Sequence, residues 1–129
     1  MIAIDTNVII RLLTRDDADQ YEKAYKLLKF NEVFISDTVI LETEWVLRFA
    51  YGYKREQIVQ ALTGLFGLAS VHINHPALVD KAIAWHHQGM DFADAMHLAG
   101  SLQIKKFYTF DKKFLASAKK ITEREVLCP

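Results

Sequence analysis

Met1-Ile2-Ala3-Ile4-Asp5-Thr6-Asn7-Val8-Ile9-Ile10 is the stretch on which the fold turns. Its first four residues form an apolar run of the kind a short buried strand shows, and the Asp5 carboxylate stands where that strand stops. The polar pair Thr6-Asn7 follows, and then a second apolar run with helical spacing. The arrangement returns near the other end, where Phe107-Tyr108-Thr109-Phe110 reads as a strand and Asp111 follows directly. In between, strand-like runs at about 33–36 and 70–73 join those at about 1–5 and 107–110. They alternate with helical patterns at about 7–14, 17–30, 38–51, 55–67, 76–88 and 92–104. Short strands separated by helices predict an α/β fold, with a parallel sheet covered on both faces, because parallel neighbours need a crossover connection. Helix starts are marked by Asp16 or Asp17, Ser36 or Asp37, Pro76 and Asp91, and two ends by Gly52 and Gly89; the tail from Ile121 to Leu127 offers an edge strand.

The 129 residues suit one domain spanning 1–129, large enough to bury most of its apolar surface without disulfides or structural zinc. The lone Cys128 excludes an internal disulfide and fits a reducing cytoplasm. No stretch approaches a membrane span, and Met1 to Asp5 reaches an acid too early for a signal peptide, so a cytoplasmic protein with no membrane partner is expected. Net charge is +0, yet the segment from Lys105 onward carries seven Lys or Arg against three acids. Lys112 and Lys113 in that segment are candidates to hold a nucleic-acid backbone, against the simpler reading of a solvated, mixed-charge surface.

Four acids are expected to carry the chemistry: Asp5, Glu42, Asp94 and Asp111. Asp5 and Asp111 both precede helical patterns, where Asp also serves as an N-cap. At about 100° per residue, Glu42 is predicted among Val39, Trp45, Val46 and Phe49 on the buried arc of its helix, with Arg11 or Lys81 as its alternative partners. Glu44 is predicted on the opposite, solvent face, paired with Arg48. Asp91 and Asp94 open a helix whose apolar face is Phe92, Ala95, Leu98, Ala99 and Leu102, and together they resemble a capping box. His97 one turn on is read as a partly exposed histidine, and Trp45, Trp85 and the phenylalanines as core. At about 4 Å, two like charges repel by roughly 4 kcal/mol at an effective dielectric of about 20, so clustered carboxylates call for a cation. All-oxygen ligands favour Mg²⁺ or Mn²⁺, and such an ion suits phosphodiester hydrolysis by metal-activated water.

These residues, in this order, resemble the PIN-domain nucleases, and more closely the VapC-type toxins of toxin–antitoxin pairs. Ile4-Asp5-Thr6-Asn7-Val8 is similar to the family's first strand and acid, and Leu41-Glu42 within Ser36 to Leu47 to its second. Phe92 to Ala99, with Asp94, is similar to the segment of the third acid, and Thr109 to Phe114, with Asp111, to that of the fourth. The resemblance implies a single-domain three-layer α/β/α sandwich with a small, mainly parallel sheet. It further implies a divalent-metal-dependent endoribonuclease, an RNA substrate, a small antitoxin partner and a homodimer. Asn7, Asp91 and Thr109 are the candidates to support the four acids from behind.

Two other readings compete. A haloacid-type phosphatase also places an aspartate after its first strand but wants a second acid two residues later, where Asn7 stands and cannot act as general acid. A non-catalytic PIN-like RNA-binding module is the other, since fold does not fix function.

Overall fold

The computed structural model describes residues 1–129 as two compact units, Met1–Asn74 and His75–Pro129. In the first, β1 (Ile2–Ala3), β2 (Val33–Ile35) and β3 (Val71–Ile73) make a parallel sheet in that order. Each crossover is a pair of helices, α1 (Thr6–Thr14) with α2 (Ala18–Phe30), then α3 (Asp37–Phe49) with α4 (Arg55–Phe66). β1 is shorter than predicted, although Ile4 N still donates to Phe34 O at 3.3 Å, so pairing reaches the residue before Asp5. Val33, Ile35, Ile9, Ile40 and Leu47 are wholly or almost wholly buried, each contributing about 1.5–3 kcal/mol through the apolar area removed from water.

Asp17 and Ser36 prove to be the N-caps of α2 and α3, accepting from Gln20 N and Val39 N respectively. Such caps satisfy backbone donors that the first turn leaves free. Asp16 is thereby free to bond elsewhere. It accepts from Tyr51 Oη at 2.6 Å and from Arg11 Nη1 at 3.2 Å, while Arg11 Nε donates to Gln20 at 2.7 Å. The hydrogen bond from Tyr51, with those from Thr14 and the charge of Arg11, holds the Asp16 carboxyl below its ordinary range. This knot ties α1 to the start of α2 and to the chain just after α3. It also accounts for Arg11, which is not a partner of Glu42.

Helix α3 overturns the predicted phase. Its buried stripe is Ile40, Thr43, Glu44 and Leu47, spaced i, i+3, i+4, i+7, whereas Glu42 is exposed. Trp45 and Phe49, read as core, are 55% and 61% exposed, with their rings 5.0 Å apart on the outer face. Counting the two aromatics as buried turned the predicted arc away from the true one. Thr43 compensates inside by donating Oγ1 to Val39 O at 2.7 Å, and Glu44 by its ion pair with Arg48 at 2.8 Å. The Glu44–Arg48 pair was therefore predicted correctly and its surroundings wrongly.

The second unit holds α5 (Pro76–Gln88), α6 (Phe92–Ala99), β4 (Lys106–Tyr108), α7 (Lys112–Ile121) and β5 (Glu125–Leu127). Pro76 lies in the first turn of α5, and Gly89 closes it at φ 127°, a conformation that a side chain would strain. β4 pairs in parallel with β5, the tail strand, to form a separate two-stranded sheet. The helix predicted over 92–104 stops at Ala99, and Leu102, assigned to its apolar face, is 40% exposed. Arg124 explains the stop, because its guanidinium donates to the carbonyls of Leu98, Ser101 and Ile104 and so satisfies oxygens that a longer helix would have used. Trp85, Phe92 and Phe114 are buried as predicted, whereas Phe30 and Phe110 are 72% and 78% exposed. No helix is long and apolar enough to cross a membrane.

Candidate metal centre

In the first unit the chain leaves β1 through Ile4, and Asp5 becomes the N-cap of α1 with an extended backbone (φ −98°, ψ −178°). Its Oδ1 accepts from Val8 N at 3.3 Å, while Oδ2 makes no bond within the protein. Capping and ligation are therefore compatible here: the cap anchors one oxygen and leaves the other to a ligand. The next residue, buried Thr6, donates its Oγ1 to Glu42 Oε1 in a short hydrogen bond, bringing α3 to the first turn of α1. Thr6 was not singled out from the sequence, although it stands inside the motif, between Asp5 and Asn7. Its burial is the property that the sequence did not display. Asn7 is exposed in the first turn of α1 and lines an apolar cleft with Val8, Arg11, Gln20, Lys23, Ala24 and Leu27. No hydrogen bond joins it to Asp5 or Glu42.

In the second unit, three acids gather at two helix starts. Asp91 caps α6 by accepting from Asp94 N at 3.2 Å, and Asp111 caps α7 by accepting from Lys113 N at 2.9 Å and Phe114 N at 3.1 Å, both through Oδ1. Thr109 supports Asp111 from the strand side, its Oγ1 accepting from Asp111 N at 3.0 Å. Asp94 is half-buried, and its carboxyl is pushed up to about 6, first by burial and then by the charges of Asp91 and Asp111; His97 opposes the shift. His97 is exposed on the same helix. Lys112 and Lys113 are exposed in the first turn of α7, beside Asp111 in the chain.

Of the predicted residues, the first unit bonds Glu42 to Thr6, the residue after Asp5, and the second brings Asp91 and Asp111 near Asp94. Within neither unit do three His, Cys, Asp or Glu side chains close into a metal-binding group. The donor chemistry nonetheless fits a hard cation, because every candidate ligand is a carboxylate.

Among solved structures, that of the Mycobacterium tuberculosis toxin VapC20, described as cleaving the sarcin–ricin loop, is similar at 24% identity and a TM-score of 0.46. The match covers 91% of this chain and 95% of that one. No curated protein matches the sequence significantly. The family model for the PIN domain runs from residue 2 to residue 120, taking in Asp5, Glu42, Asp94 and Asp111, and the chain belongs to the PIN domain family.

Proposed function

We propose that this chain acts as one PIN domain and is a divalent-metal-dependent endoribonuclease, the toxin of a toxin–antitoxin pair. The observation that carries the reading is the family match over residues 2–120, which takes in Asp5, Glu42, Asp94 and Asp111, with Asp91, Asp94 and Asp111 gathered at two helix starts. The proposed ligands are Asp5 and Glu42 from the first unit and Asp94 and Asp111 from the second, holding Mg²⁺ or Mn²⁺. Such an ion, when bound, polarises the phosphodiester and supplies a nucleophilic water at neutral pH.

The chain's own residues prepare that chemistry. Thr6 fixes the Glu42 carboxylate through one oxygen, and the caps at Asp5 and Asp111 fix two more carboxylates in the same manner. Their rotamers are thus restrained before a ligand arrives, which lowers the ordering cost of binding. Asp91 and Thr109 support Asp94 and Asp111 by bonds to their backbone N–H groups. Asn7 is proposed to orient water or substrate from the α1 side. Lys112 and Lys113 are proposed to hold the RNA backbone.

As partner, the reading takes a small antitoxin whose amphipathic segment enters the apolar cleft beside Asn7 and whose arginine faces the carboxylates, a planar fork suited to paired acids. A homodimer and a cytoplasmic location complete it. The test is to add Mg²⁺ or Mn²⁺ to pure protein with mixed RNA. Internal cuts that need the metal support the nuclease, whereas binding without cleavage would make the chain an RNA-binding module, and phosphate release from small esters would make it a phosphatase. For the toxin role, expression alone should arrest growth and a co-expressed antitoxin should relieve it; normal growth with abundant active protein would leave a housekeeping nuclease instead.

A further inference from the structure

Between Lys106 and Asp111 the exposure alternates. Lys106, Tyr108 and Phe110 are exposed, with Tyr108 at 53% and Phe110 at 78%, whereas Phe107 and Thr109 are half-buried. That is the period of an extended chain, whose alternate side chains share one face at intervals of about 6.6 Å. Pairing with β5 keeps the backbone extended past the end of β4, since Thr109 N donates to Leu127 O at 2.9 Å. The inward residues are accounted for, as Phe107 packs on Phe114 with rings 5.2 Å apart and Thr109 holds Asp111 N. The outward residues are not. Two large rings and a lysine stand in a row toward solvent, and the row ends at Asp111, with Lys112 and Lys113 next.

An exposed Phe gains nothing for folding and leaves apolar area in water. Aromatic faces interleaved with lysines have the chemistry of single-stranded nucleic acid binding, in which bases stack on rings while cations track the backbone. We infer that the outer face of β4 is a track for an unpaired RNA segment, Phe110 and Tyr108 stacking successive bases, with Lys106 and the Lys112-Lys113 pair against the phosphates, so that the strand is led to Asp111. Stacking tolerates any base, so the track selects unpaired nucleotides over duplex rather than one sequence over another. This rests on the nuclease reading and adds to it where the substrate enters and which form it takes.

The experiment measures binding of a short unstructured oligouridine to the full-length protein without added metal, alongside metal-dependent cleavage of the same RNA. Phe110→Leu keeps the apolar character but removes the stacking face, and Phe110→Trp restores it. Because the ring is exposed, both variants should fold, which circular dichroism verifies. Phe110→Leu should weaken binding about tenfold and Tyr108→Leu several-fold, within the range of about 1–3 kcal/mol for one base–aromatic stack. Phe110→Trp should bind as wild type, and its indole emission, taken relative to the parent with Trp45 and Trp85, should be quenched by the oligonucleotide. Wild-type affinity in Phe110→Leu and Tyr108→Leu, with cleavage intact, would overturn the track and leave the nuclease reading standing. Loss of self-association in these variants with RNA affinity unchanged would likewise overturn it, assigning the rings to a protein contact. Binding lost in the variants from a wild type that never cleaves would support the track and remove the nuclease reading, whereas no binding by the wild type would overturn the track and leave the nuclease reading to the cleavage result.

Discussion

Glu42 and Asp94 sit in contrasting surroundings. Glu42 is exposed, at the end of a single hydrogen bond from the buried hydroxyl of Thr6. Asp94 is half-buried, has no side-chain hydrogen bond of its own, and feels two further carboxylates. The first acid is positioned and the second is stressed. Each region should therefore answer differently to substitution.

The largest expected effect is on activity. Asp94→Asn, Asp111→Asn or Glu42→Gln should each lower metal-dependent RNA cleavage by at least about 100-fold, the scale on which a lost charge-stabilising group usually registers. Circular dichroism should show that all three remain folded. A loss for Asp94→Asn beside a nearly unchanged Glu42→Gln would confine the working site to the second unit and break the comparison at its root.

Next comes stability, where the neighbouring glutamates of α3 separate. Glu44 is 2% exposed and bonded to Arg48 through both oxygens, at 2.8 and 3.3 Å. Glu44→Gln should cost about 1–3 kcal/mol in urea unfolding, because it removes a buried, charge-assisted pair and leaves an amide in its place. Glu42→Gln, on the outer face, should cost under about 1 kcal/mol. The reverse ranking would mean that the buried stripe of α3 is not the one described.

The pH response isolates the strain at Asp94. Its folded value of about 6 lies above its ordinary 3.8, so the folded chain holds this proton more tightly than the unfolded chain does. Stability without metal therefore rises as pH falls from about 7 toward 4, and the Asp94 penalty is fully present above about 6. Discounted for its partial exposure, the penalty is about 1 kcal/mol. Asp94→Asn should raise the metal-free Tm at pH 7 by a few degrees, on the order expected for a domain of this size, and should flatten the pH profile. A profile identical to that of the wild type would show that neither burial nor the charges of Asp91 and Asp111 raise Asp94.

Smallest is the effect of the α7 lysines. Replacing Lys112 and Lys113 with Gln should weaken RNA binding a few-fold and reduce the slope of log K against log salt by about 1.4, two phosphate contacts at roughly 0.7 each for a single strand. An unchanged slope would return both lysines to the solvated surface and leave the Asp111 region without a cationic flank.

Much of this arrangement was legible in the residues alone. Apolar runs, helix caps and the alternation of strands with helices determined the α/β class and nearly every element, because they depend on neighbours a few residues apart. The order of the acids determined the family, since Asp5, Glu42, Asp94 and Asp111 are chemical identities that no packing can alter. Tertiary structure decided which sides face inward. The phase of α3 was hidden because Trp45 and Phe49 have core chemistry yet lie outside, while Glu44 lies inside with a partner that neutralises it. The end of α6 depended on Arg124, more than twenty residues away, reaching its carbonyls. The parallel pairing of β4 with the tail strand β5 joins segments that nothing in the local sequence links. Burial and long-range partners are properties of the folded chain, and there the Thr6–Glu42 bond, the raised Asp94 and the exposed ring of Phe110 first become visible.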